Sequence, residues 1–169
     1  TAPLLLPVLL ALTPFALQAS DWPGFRGSDR EDISTETGLL KSWPAAGPKK
    51  VWMSDKAGLG YSGFSIVKDT LYTMGLNGDS EDLLAFDANT GALKWTTPVG
   101  PIFTNKWGDG PRGTPFVDGD RVYALSAQGY LLCANAATGA SVWTQPLKDF
   151  GGKPPGWGYT ESVLVDGNL

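Results

Sequence analysis

The side chains of this 169-residue chain with most chemical capacity are an arginine, an acid and aromatics placed just ahead of β-rich stretches. Arg112 precedes one such stretch, and Trp157, Tyr159 and Glu161 precede or enter the next. An arginine and a carboxylate in one cavity can bind a ligand's carboxylate, polarise a carbonyl, or pair with each other. Arg112, Trp157 and Glu161 are therefore the candidate cofactor-binding residues, against a competing reading as ion-pair members and channel lining. No catalytic residue and no metal ligand can be assigned. Histidine is absent, which removes Ser-His and Cys-His nucleophile pairs, His-ligated zinc and a histidine acid or base from this stretch.

Two motifs of better-known chemistry fail on context. Gly58-Leu-Gly60-Tyr-Ser-Gly63 spells a dinucleotide fingerprint, but a β-rich run from Phe64 to Tyr72 follows where a helix is needed. Its glycines are expected to let the chain pass into the first inner strand. Asn77-Gly-Asp79-Ser-Glu81-Asp82 clusters carboxylates that would suit calcium, yet lacks the spacing of a calcium loop, and a solvated hairpin tip is expected. The single cysteine, Cys133, has no internal partner and lies in an apolar run that predicts a buried, inert thiol.

The elements that position these residues follow from composition and repetition. With Gly 22, Pro 13, seven Trp and five Tyr, the chain favours short strands and tight turns over helices. Lys+Arg 13 against Asp+Glu 17 gives a net charge of -4 without a basic block, which argues against a nucleic-acid partner. Ala85-Phe-Asp87-Ala-Asn-Thr90-Gly91-Ala-Leu-Lys-Trp95 recurs as Cys133-Ala-Asn135-Ala-Ala-Thr138-Gly139-Ala-Ser-Val-Trp143, an offset of 48. Thr90, Gly91, Trp95, Thr138, Gly139 and Trp143 are thus the structural repeat residues. A period near 50 residues marks a propeller or solenoid, and turns at Asp118-Gly119, Gln128-Gly129 and Thr138-Gly139 divide one period into a four-stranded antiparallel meander. Such sheets bury both faces only when stacked radially. The fold class is all-β, a β-propeller of four-stranded blades, with about two full blades and the start of a third.

Residues 1–20 resemble the apolar core and cleavage region of a secretory signal, broken by Pro3, Pro7 and Pro14 in a way that speaks against a membrane span. Residues 21–50 are then an N-terminal extension, and 51–169 a partial propeller with blades at 63–99, 112–147 and 159–169, the last incomplete. A periplasmic or secreted location follows from the signal reading, with no stable membrane span after its removal.

The block Ala-x-Asp-x-x-Thr-Gly-x-x-x-Trp at Ala85 to Trp95 resembles the tryptophan-docking repeat of pyrroloquinoline-quinone (PQQ)-type propellers. Asp21-Trp-Pro-Gly-Phe-Arg-Gly27, Pro111 to Tyr123 and Trp157 to Ser162 are similar to a bacterial exported subgroup, polyvinyl-alcohol dehydrogenase-like or outer-membrane assembly factor-like. The resemblance implies that each repeat tryptophan docks between blades near a neighbouring Thr-Gly turn. It implies either a binding or scaffolding module with protein or polymer partners, or a quinoprotein dehydrogenase oxidising alcohols with PQQ and calcium. Which of the two, and so whether the chain is an enzyme, is left open; the first is preferred because a repeat alone implies no cofactor.

Three geometric expectations complete the reading. Trp95 and Trp143 should hold equivalent fourth-strand positions. Val51-Trp52 should be an outer strand that closes a ring, with Trp52 more exposed than Trp95 and its strand unpaired or borrowing another edge. Arg112 and Glu161 should both face the channel, although their offset of 49 against a repeat of 48 can turn them to different faces. Lys68, where the repeat has Gly, should alter its turn.

Overall fold

Alternating apolar and polar residues between tight-turn signals fold into two four-stranded antiparallel sheets. A computed structural model describes residues 19–167; the expected signal segment lies outside them except for Ala19 and Ser20. The first sheet joins β1 (Phe64–Val67), β2 (Thr70–Asn77), β3 (Ser80–Asp87) and β4 (Leu93–Pro101) in that order. The second joins β5 (Phe116–Asp118), β6 (Arg121–Leu125), β7 (Tyr130–Asn135) and β8 (Ser141–Pro146) in the same order. Residues 159–167, the expected third inner strand, carry no assigned strand. A strand exists through its ladder, and the expected hairpin partner would follow the Asp166-Gly167 turn, outside the described residues.

The two sheets repeat one another residue by residue. Ala85 pairs with Trp95 and Cys133 with Trp143, and a register shift follows at once in both ladders. Trp95 and Trp143 thus occupy the same place on the two fourth strands. Ahead of each, one side-chain oxygen folds the turn: Asp87 Oδ1 accepts from the Thr90 amide and hydroxyl at 2.9 Å, and Asn135 Oδ1 accepts the same pair from Thr138 at 3.0 Å. An amide oxygen serves as well as a carboxylate, so Asn135 can stand where the first copy has Asp87. Gly91 and Gly139 close these turns in the left-handed region, at φ of +74° and +73°.

The sheets stack face to face as blades. Tyr72, Met74, Leu83 and Val99 of the first meet Val122, Ala124, Leu132 and Ala134 of the second in one core, large side chains fitting over small ones. The Trp95 ring lies on Gly139, 2.6 Å from where a Cβ would sit, and the Trp52 ring lies on Gly91 at the same 2.6 Å. Trp52 therefore does for the first blade what Trp95 does for the second. Both rings are half-buried, since both have a turn to dock on, and residues 51–57 form no paired strand. Trp52 Nε1 donates to Ala88 O at 2.8 Å. At the next interface the matching carbonyl, Ala136 O, accepts from Tyr72 Oη at 3.1 Å, and Trp95 Nε1 is left buried without a partner.

The N-terminal extension straps the inner strands together. Trp22 exchanges backbone hydrogen bonds with Ile66 of β1 at 2.7 and 2.8 Å, and Pro23 O accepts from Val117 N of β5 at 2.8 Å. Further along, Arg30 Nη2 donates to Ser162 O and Val163 O at 3.1 and 2.6 Å. One segment thereby bonds to the innermost edge of three successive repeat units, satisfying polar groups that an inner strand leaves free.

Two sequence expectations are corrected. The turn at Lys68 does not differ: Lys68 takes φ +54° where Gly119 takes +57° in the second blade, and its amide donates to Asp21 Oδ1 at 2.7 Å. The strap holds the strained turn in place. The acidic hairpin is not a solvated tip either, since only Gly78 and Asp79 project, while Glu81 is 0% and Asp82 6% exposed. The first-blade hairpin is longer than its counterpart, so these two carboxylates fall inside β3, which is buried on both faces.

Candidate functional site

The connections leading into the inner strands lie on the same end of the blades as the β2–β3 and β6–β7 hairpins. Leu59 pairs with Leu76 of the first hairpin, and Tyr159 N donates to Ala127 O of the second at 2.8 Å. The Gly-x-Gly of Gly58-Leu-Gly60 recurs as Gly108-Asp-Gly110 and Gly156-Trp-Gly158, so the apparent nucleotide fingerprint is the repeat's own approach loop. Crowding explains it at Gly108, where φ is +130° and a Cβ would sit 1.9 Å from Tyr61 Oη.

Where three such loops converge, Tyr61, Trp107, Arg112, Trp157 and Thr160 line an open cavity of about 310 Å³. Trp107 and Trp157 stack with ring centres 5.6 Å apart and planes 30° apart. They stay 61% and 56% exposed, an arrangement that leaves indole faces free for a ligand. Tyr61 Oη donates to Trp107 O at 2.9 Å, and Asn105 Nδ2 donates to Gly156 O at 2.5 Å, tying the loops that carry the pair. A slightly larger cavity, about 350 Å³, is lined by residues between Ala19 and Glu36, from the end of the expected signal segment and the N-terminal extension, and involves no convergence of blades.

Arg112 is held by its own loop. Nη2 donates to Gly108 O at 2.6 Å and Nη1 to Gly110 O, and the guanidinium lies over the Phe103 ring at 4.9 Å and the Tyr61 ring at 5.5 Å. A guanidinium so fixed is a directional positive charge against aromatic walls. Lys106 Nζ, 5.0 Å from the Trp107 ring, adds a second cation at the rim.

Of the residues singled out from sequence, Arg112 and Trp157 meet in this cavity and Glu161 does not. Glu161 is exposed and its carboxylate folds back to accept from Thr160 N at 2.8 Å. Among the described residues no ion pair joins it to Arg112. Thr160, 48 residues after Arg112, is the true repeat equivalent and takes the lining position, while the Glu161 side chain turns back onto the Thr160 amide. No carboxylate lines the cavity, and among the described residues no group of three or more acidic or cysteine side chains comes together to hold a metal ion. The donor set for calcium is therefore not met by the residues present here. Thr90, Gly91, Trp95, Thr138 and Gly139 lie at the opposite, structural end, and Trp143 is 43% exposed.

Sequence reasoning missed Tyr61, Phe103, Trp107 and Glu81. The recurring Gly-x-Gly could have located Tyr61. Glu81 had a signal too, since the offset of 48 sets it opposite Gly129. Its carboxylate, fully buried, accepts from Phe103 N at 3.2 Å and Ala127 N at 2.7 Å. Burial raises its pKa above the ordinary glutamate value, opposed by those two amides and by the nearby charge of Arg112.

The family model described as outer membrane protein assembly factor BamB matches residues 36–146 and, in a second alignment, 79–168. The chain belongs to this PQQ-repeat propeller family. Among curated proteins none matches it. Two similar solved structures are a europium-containing methanol dehydrogenase, at 21% identity and a TM-score of 0.38 over 48% of this chain, and BamB from Moraxella catarrhalis, at 18% and 0.30 over 52%. The aligned parts make up 14% and 35% of those two chains. The family's repeat accounts for both blades and for the docking tryptophans; the cavity between the approach loops is built on top of it. Among the described residues no helix is long and apolar enough to cross a membrane.

Proposed function

We propose that this chain is part of an exported PQQ-repeat propeller that works as a binding or scaffolding module, taking a protein or polymer partner on the face that carries Trp107 and Trp157. The observation that carries this reading is the exposed indole stack beside a fixed arginine. Trp, Tyr and Arg are the residues that dominate binding energy at interfaces, and all three types converge here on loops tied together by hydrogen bonds. The family description, an assembly factor, supports a partner-binding role. The apolar residues 3–19 support export, and with it a periplasmic or secreted location.

The alternative is a quinoprotein dehydrogenase oxidising alcohols with PQQ and calcium. Arg112 and the indole stack suit a flat anionic ring, but no carboxylate here supplies calcium with a ligand. Two measurements on the full-length protein separate the readings. A photo-crosslinking residue at position 107 should capture a partner in the exporting cell that the same probe at Asp118, on the opposite end, does not, and Arg112→Ala should cut that capture about tenfold. Titration with PQQ and Ca²⁺, followed by tryptophan fluorescence, should leave the emission unchanged. Equal capture at both positions, or saturable quenching by the quinone, overturns the scaffold reading.

A further inference from the structure

Glu81 has no counterpart in the second blade, where the repeat has Gly129 and a shorter hairpin. The repeat thus acts as an internal control, because a residue needed only for blade folding would be expected in both copies. A carboxylate with 0% exposure is also costly to keep inside a core that apolar residues could fill.

Its two hydrogen bonds lead to both flanks of the cavity. On one side Phe103 N donates to Oε1, and the Phe103 ring supports the Arg112 guanidinium at 4.9 Å. On the other side Ala127 N donates to Oε2, while Ala127 O accepts from Tyr159 N. Gly158, the residue after Trp157, lies against both: a Cβ there would sit 2.9 Å from Ala127 Cβ and 3.2 Å from the Phe103 ring. A single carboxylate therefore fixes the loop of Trp107 and Arg112 against the loop of Trp157, across the blade interface. We infer that Glu81 is the positioning residue of the aromatic–arginine site, a latch that holds Trp107 and Trp157 in stacking register.

The inference rests on the reading of this face as the binding face, and its chemistry makes the latch sensitive to protons. An ionised carboxylate accepts both amides, whereas a protonated one presents an O–H to one of them and loses that bond. Glu81 pairs with Leu76 of β2 and Gly100 of β4 and bonds to Ala127 of the second blade and Phe103 of the loop, none of them titratable; the Tyr130 ring and Ser126 hydroxyl of the second blade lie against Gly100 beside it. Arg112 is the charged group acting on it, and it favours the ionised, latched form.

The test uses the far-ultraviolet exciton couplet of the stacked indoles in the full-length protein, with Trp107→Phe as the blank. In the wild type the couplet should collapse on acidification from mildly alkaline pH, before the ordinary glutamate value of 4.5 is reached, with blade structure retained. In Glu81→Gln it should be weak at every pH, since an amide cannot accept from both N–H groups. A wild-type couplet that stays flat across this range, or a full couplet in Glu81→Gln, overturns the latch. The wild-type titration decides even if the variant fails to fold. A latch confirmed alongside failed crosslinking at position 107 would sink the binding reading alone; the reverse pattern would sink only the latch.

Discussion

Lys68 and Gly119 hold the same turn position, and both take the left-handed conformation. A non-glycine side chain there costs about 1–2 kcal/mol, partly regained through a less flexible unfolded chain. Lys68→Gly should therefore raise the stability of the protein by about 0.5–1 kcal/mol, read as an increased denaturant midpoint with an unchanged slope. Glu81 has the opposite relation to stability. Its folded pKa is raised above the unfolded value of 4.5, so the folded state binds the extra proton. Stability from this group is full below that value and falls as pH rises through the folded pKa. Denaturant midpoints measured across this window should drop with rising pH in the wild type, and the drop should be smaller in Glu81→Gln.

At the scale of the elements, each blade depends on a glycine that receives a tryptophan from its neighbour. Gly91 and Gly139 combine left-handed φ with an indole ring 2.6 Å from the site of a Cβ. Alanine at either place meets both penalties at once, and each substitution should cost about 2–3 kcal/mol. Gly119 makes the control: φ is +57° but nothing lies within 4 Å, so alanine there should cost about 1 kcal/mol, the conformational part alone. Equal losses at Gly119 and Gly139, measured by chemical denaturation, would mean that the tryptophans contribute nothing to blade stacking.

For the whole molecule, the ladder of tryptophans has a direction. Trp52 docks on the first blade and Trp95 on the second, while Trp143 is 43% exposed with no Thr-Gly turn beneath it among the described residues. In the full-length protein a third blade should bring that turn. Hydroxyl-radical footprinting should then modify Trp143 no faster than Trp95, whereas a rate several-fold higher would show that the stack stops at the second blade. The same reasoning predicts that residues 51–53, where Val51 and Met53 are 79% and 81% exposed, pair as an outer strand in the full-length protein.

The eight strands were legible in the sequence because Asp-Gly, Asn-Gly, Thr-Gly and Gln-Gly turns recur at a fixed period, and the period itself places the one turn without glycine, Lys68-Asp69. The equivalence of Trp95 and Trp143 followed from the same period. Arg112 and Trp157 could be chosen because they flank strands that line up in the repeat. What local signals could not convey was which side chains meet across loops some 50 residues apart. Glu81 looked solvated because its neighbours are acidic and polar; only the packed fold brings the Phe103 amide of the following loop and the Ala127 amide of the second blade onto it. Glu161 looked like a partner for Arg112 because it is one position from the repeat equivalent, but Thr160 takes the lining place and the Glu161 carboxylate turns back to the Thr160 amide. The repeat sets the scaffold through turns and period; the site depends on contacts between repeats, which exist only once the blades have packed.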